Sequence, residues 1–144
     1  MNGKKIKVVI DTNVIISAVL SPKGNPAQVL RSITDSNDVF MYYSPEIIDE
    51  YTKVLSYDRL RIDDDEKKRA IELVIEIGVC ISPVASIIPL PDETDRIFYD
   101  TAKTSGSILI TGNTKHYPTE SFIMTPANYI FYLETGEYYH FEKA

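Results

Sequence analysis

The chain has 144 residues, 44% of them hydrophobic and 25% charged, with a formal net charge of −6; this is the balance of one folded domain rather than a disordered segment. The negative charge argues against broad, non-specific attraction to nucleic acid, and no apolar run approaches the roughly 20 residues a membrane helix needs. A single cysteine, Cys80, rules out an internal disulfide and a cysteine-built zinc site.

The first predicted element is a strand over 5–10, "KIKVVI", β-branched and increasingly apolar toward its end. The lysines ahead of it precede a stretch too short for a secretory signal, so cytoplasm is the expected compartment. Asp11, Thr12 and Asn13 follow, and "VIISAVL" then begins a helix. A second helix, "NPAQVLRSI", has Pro26 at an early helical position. A strand over 38–43 leads to "SPEIIDEYTKVL", where Ser44 reads as N-cap and Pro45 as the first helical residue. "DDDEKKRAIELVIEIG" has acids at its start, bases next and Gly78 at its end. A strand over 79–83 holds Cys80, expected as a small core residue. "PDETDRIFYDTAKTSG" forms a helix that stops near Gly106, strands at 107–111 and 121–124 follow, and "TPANYIFYLETG" closes the series with a Thr-Pro start and a Gly stop.

This βαβα alternation predicts a parallel sheet with helices on both faces, an α/β domain spanning 1–144. In such sheets the functional crevice lies at the carboxyl ends of the strands, and Asp11, Ser44 and Thr111-Gly112-Asn113 all fall there. Charge is uneven: residues 1–72 hold 11 basic and 12 acidic residues, residues 73–144 only 4 and 9. A basic patch for a polyanion would come from Lys4, Lys5, Lys7, Lys23 and Arg31.

Helical spacing sorts the carboxylates. In 44–56, Ile47, Ile48, Tyr51, Val54 and Leu55 share an apolar arc with Glu50 at its border, Asp49 opposite and Glu46 further round. In 92–105, Ile97, Phe98, Thr101 and Ala102 form the buried arc, Asp95 borders it, Asp100 lies off its other side, and Asp92 opens the segment. Asp11, Glu50 and Asp95 can therefore converge at the sheet edge. Two carboxylates about 4 Å apart repel by roughly 4 kcal/mol at an effective dielectric near 20, so protons or a cation must relieve them. All-oxygen ligands without a nearby His or Cys favour Mg²⁺ or Mn²⁺ over zinc, and a hard divalent ion with open positions suits phosphodiester hydrolysis. Singly, each acid has a plainer reading: Asp11 as a helix cap, Asp92 and Asp95 as favourable charges at a helix start, Glu50 as a solvated flank.

The blocks "VVIDTNVIISAVLSPKGNPAQVL", "SPEIIDEYTKVL", "PDETDRIFYDTA" and "ILITGNTKHYP", in that order over residues 6–133, resemble the PIN domain, in particular the VapC-like toxins of toxin–antitoxin systems. The resemblance implies a Rossmann-like three-layer α/β/α sandwich and a metal-dependent ribonuclease that uses Mg²⁺ or Mn²⁺ and leaves 5′-phosphate and 3′-hydroxyl ends. It implies Asp11 as the strand-one acid, Glu50 as the helix acid and Asp95 as the acid of the later helix. Asp92 matches an additional upstream acid, and Asp100 falls where the branch often has Glu. It also implies an RNA substrate, a cognate antitoxin protein that blocks the acidic crevice, and a possible homodimer.

One position departs from the pattern: "TGN" stands where the family usually has Thr-Gly-Asp or Thr-Asn-Asp. Asn113 can still offer an amide oxygen to a hard cation, but no charge. That leaves an alternative, a catalytically degenerate domain retained as an RNA- or antitoxin-binding module. Thr12, Asn13, Ser44 and Thr111 are candidates for positioning a phosphate or a water, each also readable as a cap. His116 either touches a phosphate or solvates a turn, and His140 and the tyrosines at 138–139 carry no assignment. A haloacid-dehalogenase phosphatase would need an Asp where Asn13 stands, and a receiver domain would need paired acids after its first strand and a phosphoacceptor where "YYS" stands at 42–44.

Overall fold

The computed structural model describes residues 5–136; Lys4, His140 and the tyrosines at 138–139 lie outside them. Five strands, β1 (Ile6–Ile10), β2 (Val39–Tyr43), β3 (Gly78–Cys80), β4 (Ile108–Ile110) and β5 (Ile123–Met124), form one parallel sheet in the order β3-β2-β1-β4-β5. Among the described residues five helices lie between them, α1 (Thr12–Leu20), α2 (Asn25–Thr34), α3 (Pro45–Leu55), α4 (Asp64–Ile77) and α5 (Arg96–Ser105), and α6 (Pro126–Thr135) follows β5. The chain steps from β1 outward to β3, then back across β1 to β4. Right-handed crossovers therefore put α5 on the face opposite α1 and α2, and the result is a three-layer α/β/α sandwich. Val8, Val9 and Ile10 are all 0% exposed, as a central parallel strand covered on both faces requires.

The cap predicted at Ser44 forms as a bond, and Asp63 supplies one to α4. Ser44 Oγ accepts from Ile47 N at 3.3 Å and Asp63 Oδ1 from Glu66 N at 2.8 Å. Gly78 marks the corner from α4 into β3, where a Cβ would stand 2.7 Å from the Tyr43 ring and the Val74 carbonyl. Tyr51 of α3 is fully buried and donates its hydroxyl to the Ile10 carbonyl, tying α3 to the end of β1.

Several expectations are corrected. Cys80 is exposed, because β3 is a three-residue edge strand rather than an interior one. The strand does not reach 83: Ile81 N still donates to Tyr43 O at 2.9 Å, but Pro83 has no N–H to extend the ladder. Asp100, expected beside the buried arc of α5, is itself buried. Its carboxylate accepts from Ser86 Oγ at 2.5 Å and Ser86 N at 3.3 Å, while Arg96 donates to the Ser86 and Ile88 carbonyls at 3.0 and 2.7 Å. Asp100 and Arg96 thus pin residues 81–91 to α5. Lys5 and Lys7 sit at the start of β1, so at about 3.3 Å per residue they lie well over 10 Å from Asp11 along the strand and do not line its carboxyl edge.

Candidate active site

β1 and β4 run in register with Ile10 opposite Ile110, so the residues that follow, Asp11 and Thr111, meet at the carboxyl edge of the sheet. Asp11 is 5% exposed. Its Oδ1 accepts from Thr12 N at 2.7 Å, capping α1, and its Oδ2 accepts from the Thr111 hydroxyl at 2.8 Å and the Tyr117 hydroxyl at 2.9 Å. Burial pushes the Asp11 carboxyl above its usual range, and these three donors pull in the other direction without cancelling it. Burial, followed by the Asp11 charge, lifts the Tyr117 phenol far above its ordinary value, so it remains a hydrogen-bond donor.

The second carboxylate arrives from a different element. Asp92 caps a short 3-10 turn, Glu93–Asp95, by accepting from Thr94 N and its hydroxyl at 3.0 and 2.8 Å. Those bonds hold the exposed Asp92 carboxyl below its ordinary value. Asp95 ends the turn directly before α5, and its side chain is only 15% exposed. Burial first, and the Asp11 charge second, raise it from 3.8 to about 6. The Asp11 carboxylate thus lies close enough to disfavour ionisation of Asp95.

Two oxygens of this region, Thr12 Oγ1 and Asp95 Oδ2, are shut from solvent and have no hydrogen-bond partner. Buried polar atoms left this way are costly unless something binds them. His116, from the 3-10 turn Thr114–His116 after β4, brings Nδ1 to 3.3 Å from Asp95 Oδ2, within ion-pair reach but off the line of a hydrogen bond. Its other nitrogen, Nε2, is 2.8 Å from Asn113 Nδ2. The expectation of an acid cluster without a nearby histidine is therefore corrected: the turn after β4 folds back over the crevice and delivers the imidazole.

The other expected residues divide by what they touch. Thr111 donates to Asp11 and accepts from Asn113 N at 3.0 Å, so it orients both. Asn13 Oδ1 accepts from Gly112 N at 2.8 Å, latching the first turn of α1 to the β4 exit, and a Cβ on Gly112 would meet that oxygen at 3.0 Å. Ser44 is fully buried and spends its hydroxyl on the cap of α3. Glu50 is half-buried on α3 and is not drawn into this group. Among the described residues, no three acidic, histidine or cysteine side chains close into a metal cage. What stands together is Asp11 and Asp95, with Asp92, Asn113 and His116 at the mouth. Tyr117 was missed by sequence reasoning. Its place in "TKHYP", six residues beyond Thr111, was the available signal.

Hard oxygens, two buried carboxylates whose acidity burial weakens and two unpaired buried oxygens fit a hard divalent cation that keeps part of its water shell. Zinc, with its preference for nitrogen and sulfur, fits less well.

Comparison with known proteins gives a consistent picture. A family model described as PIN domain matches residues 7–115. An uncharacterized protein of Methanocaldococcus jannaschii, MJ1680, is 35% identical over 116 residues, covering 78% of this chain and 74% of that protein. Among solved structures, PAE2754 from Pyrobaculum aerophilum is similar with a TM-score of 0.58 at 15% identity, covering 93% of this chain and 94% of that one. VapBC2 from Rickettsia felis, solved bound to a DNA fragment from its promoter, is similar with a TM-score of 0.56 at 13% identity, covering 83% of this chain and 97% of that one. At those identities the two structures speak for the fold.

Proposed function

This chain belongs to the PIN-domain family, and from that premise we propose that it is a metal-dependent ribonuclease, the toxin of a toxin–antitoxin pair. The observation that carries the reading is the pairing of Asp11 and Asp95, where burial raises both carboxyls, the Asp11 charge raises Asp95 further, and Asp95 Oδ2 is left without a hydrogen bond. Asp11 and Asp95 would hold Mg²⁺ or Mn²⁺, with Asp92 and the Asn113 carboxamide at its margin and Glu50 as the remaining family acid. Bound there, such a cation would supply positive charge to a phosphodiester and would make a nearby water more acidic.

The chain's own residues do the positioning. Thr111, Tyr117 and the Thr12 amide fix the Asp11 carboxylate in one orientation. Asn13 holds the β4 exit against α1, which keeps Asn113 at the crevice. Thr12 Oγ1 has no hydrogen-bond partner of its own, which supports a role for it in holding a water or a phosphate oxygen once the site is occupied. Lys115, on the same turn as His116, supplies a local positive charge that the overall charge of −6 does not. Partnership with an antitoxin protein is part of the proposal; a Rickettsia structure of similar fold is described as VapBC2 with promoter DNA. A homodimer and a cytoplasmic setting complete it, and among the described residues no helix is long and apolar enough to cross a membrane.

The test is cleavage of a panel of single-stranded RNAs in Mn²⁺ and in Mg²⁺, with EDTA as control and Asp11→Asn beside wild type. Metal-dependent cutting that leaves 5′-phosphate ends and disappears in Asp11→Asn is the expected result. Bound RNA or antitoxin with no cutting under any condition would instead identify a binding module, the reading that Asn113 in place of the fourth acid allows.

A further inference from the structure

The contacts of the turn after β4 give Asn113 a role other than that of a lost acid. Asn113 Nδ2 is 2.8 Å from His116 Nε2, and His116 Nδ1 is 3.3 Å from the buried, otherwise unpaired Asp95 Oδ2. A neutral imidazole carries one N–H and one bare nitrogen. If Nε2 carried the hydrogen, the bare Nδ1 would turn its lone pair on the carboxylate oxygen, and the Asn113 amide would have to present its oxygen to Nε2. The arrangement that turns no lone pair on another is the other one: the Asn113 amide donates to Nε2, and Nδ1–H faces Asp95 Oδ2 at ion-pair distance. In that state the Asn113 carbonyl oxygen is turned away from the ring and stays available.

We propose that Asn113, His116 and Asp95 form a relay in which Asn113 sets the Nδ1–H tautomer of His116 and His116 positions the Asp95 carboxylate; as a role in cation binding, this rests on the metal-dependent reading above. His116 is a positioning residue, acting on the cation through Asp95. The pair also accounts for the amide at position 113. An Asp there could only accept, so it would demand a hydrogen on Nε2 and break the one-proton arrangement. Orienting partners of this kind change metal affinity by about 10- to 100-fold when removed, and partners in one chain of bonds lose their effects together rather than additively.

The relay is tested first without metal. Long-range ¹⁵N–¹H NMR on the EDTA-treated protein in the His140→Gln background leaves His116 as the only imidazole. It is recorded at alkaline pH, at a value where the ¹⁵N shifts themselves show a neutral ring. The expected pattern is Nδ1–H with bare Nε2, reverting toward Nε2–H in Asn113→Ala. An Nε2–H tautomer in the otherwise unchanged protein overturns the relay.

Mn²⁺ titration then reads its consequence. His116→Ala and Asn113→Ala should each lose about tenfold in affinity, and the double variant no more than either alone. His116→Asn, whose amide N–H can take the place of Nδ1–H, should recover most of the loss. Losses that multiply in the double variant, or full affinity in His116→Ala, overturn the relay. Because His116 is 48% exposed, these variants do not empty the core, and circular dichroism confirms that each is folded. The two readings fail separately: a protein that shows the Nδ1–H tautomer but takes up no Mn²⁺ refutes the metal site, and one that binds Mn²⁺ with an Nε2–H tautomer refutes the relay alone.

Discussion

Replacing Asp95 by Asn should stabilise the metal-free protein at alkaline pH. Burial and the Asp11 charge lift Asp95 from 3.8 to about 6. At about 1.36 kcal/mol per unit, keeping that carboxylate ionised costs about 3 kcal/mol if nothing screens it. The side chain is 15% exposed at the crevice mouth, so solvent reduces the figure. The negative charge at the start of α5 also favours the helix by about 0.3–1 kcal/mol, which Asn forfeits. Asp95 makes no capping hydrogen bond to α5, so no cap is lost. The balance is a gain of about 1–2 kcal/mol, or roughly 3–6 °C in Tm for a chain of this size. The sign follows from proton binding: between pH 3.8 and about 6 the folded state holds a proton that the unfolded state has released, so wild-type stability falls as pH rises through this window. Thermal melts of wild type and Asp95→Asn in EDTA at pH 4, 6 and 8 check it. The advantage of the variant should be absent at pH 4 and full at pH 8. A variant less stable than wild type at pH 8, or an advantage that grows as pH falls, would refute the coupled-carboxylate pocket.

Other changes separate scaffold from chemistry. Tyr117→Phe removes one of the two donors on Asp11 Oδ2 and should cost about 1–3 kcal/mol in urea unfolding, with the larger loss at high pH, where Asp11 is charged. Ser44→Ala should cost about 1 kcal/mol and leave the RNA cleavage rate unchanged, because the hydroxyl caps α3; a drop in rate at equal folding would give Ser44 a role at the phosphate instead. Asp100→Ala strips the acceptor from Ser86 and should make residues 81–91 the first site of limited proteolysis, at a stability cost of about 1–3 kcal/mol.

Local chemistry made much of this molecule legible. The β-branched run before Asp11, the Ser44-Pro45 and Thr125-Pro126 starts and the Gly106 and Gly136 stops all mark boundaries that the structure keeps. Each is decided within a few residues, by a cap bond or by the left-handed backbone at the two glycines. What stayed hidden depends on partners far away in the chain. Thr111 meets Asp11 only because β4 inserts next to β1, and Tyr117 and His116 meet Asp11 and Asp95 only because the next turn folds back. Cys80 looked interior because strand position says nothing about which strand is at an edge. Asp100 was left beside the buried arc because that arc was drawn from apolar and small residues, whereas burial of a carboxylate is set by its partners, here Ser86 and Arg96.

Calorimetric titration of Mn²⁺ into wild type and Asp11→Asn, both verified as folded, addresses the central claim most directly. The account predicts saturable binding by wild type at the Asp11–Asp95 pocket and at least a tenfold loss in the variant. Equal Mn²⁺ uptake by the two proteins, or none by wild type, would contradict it.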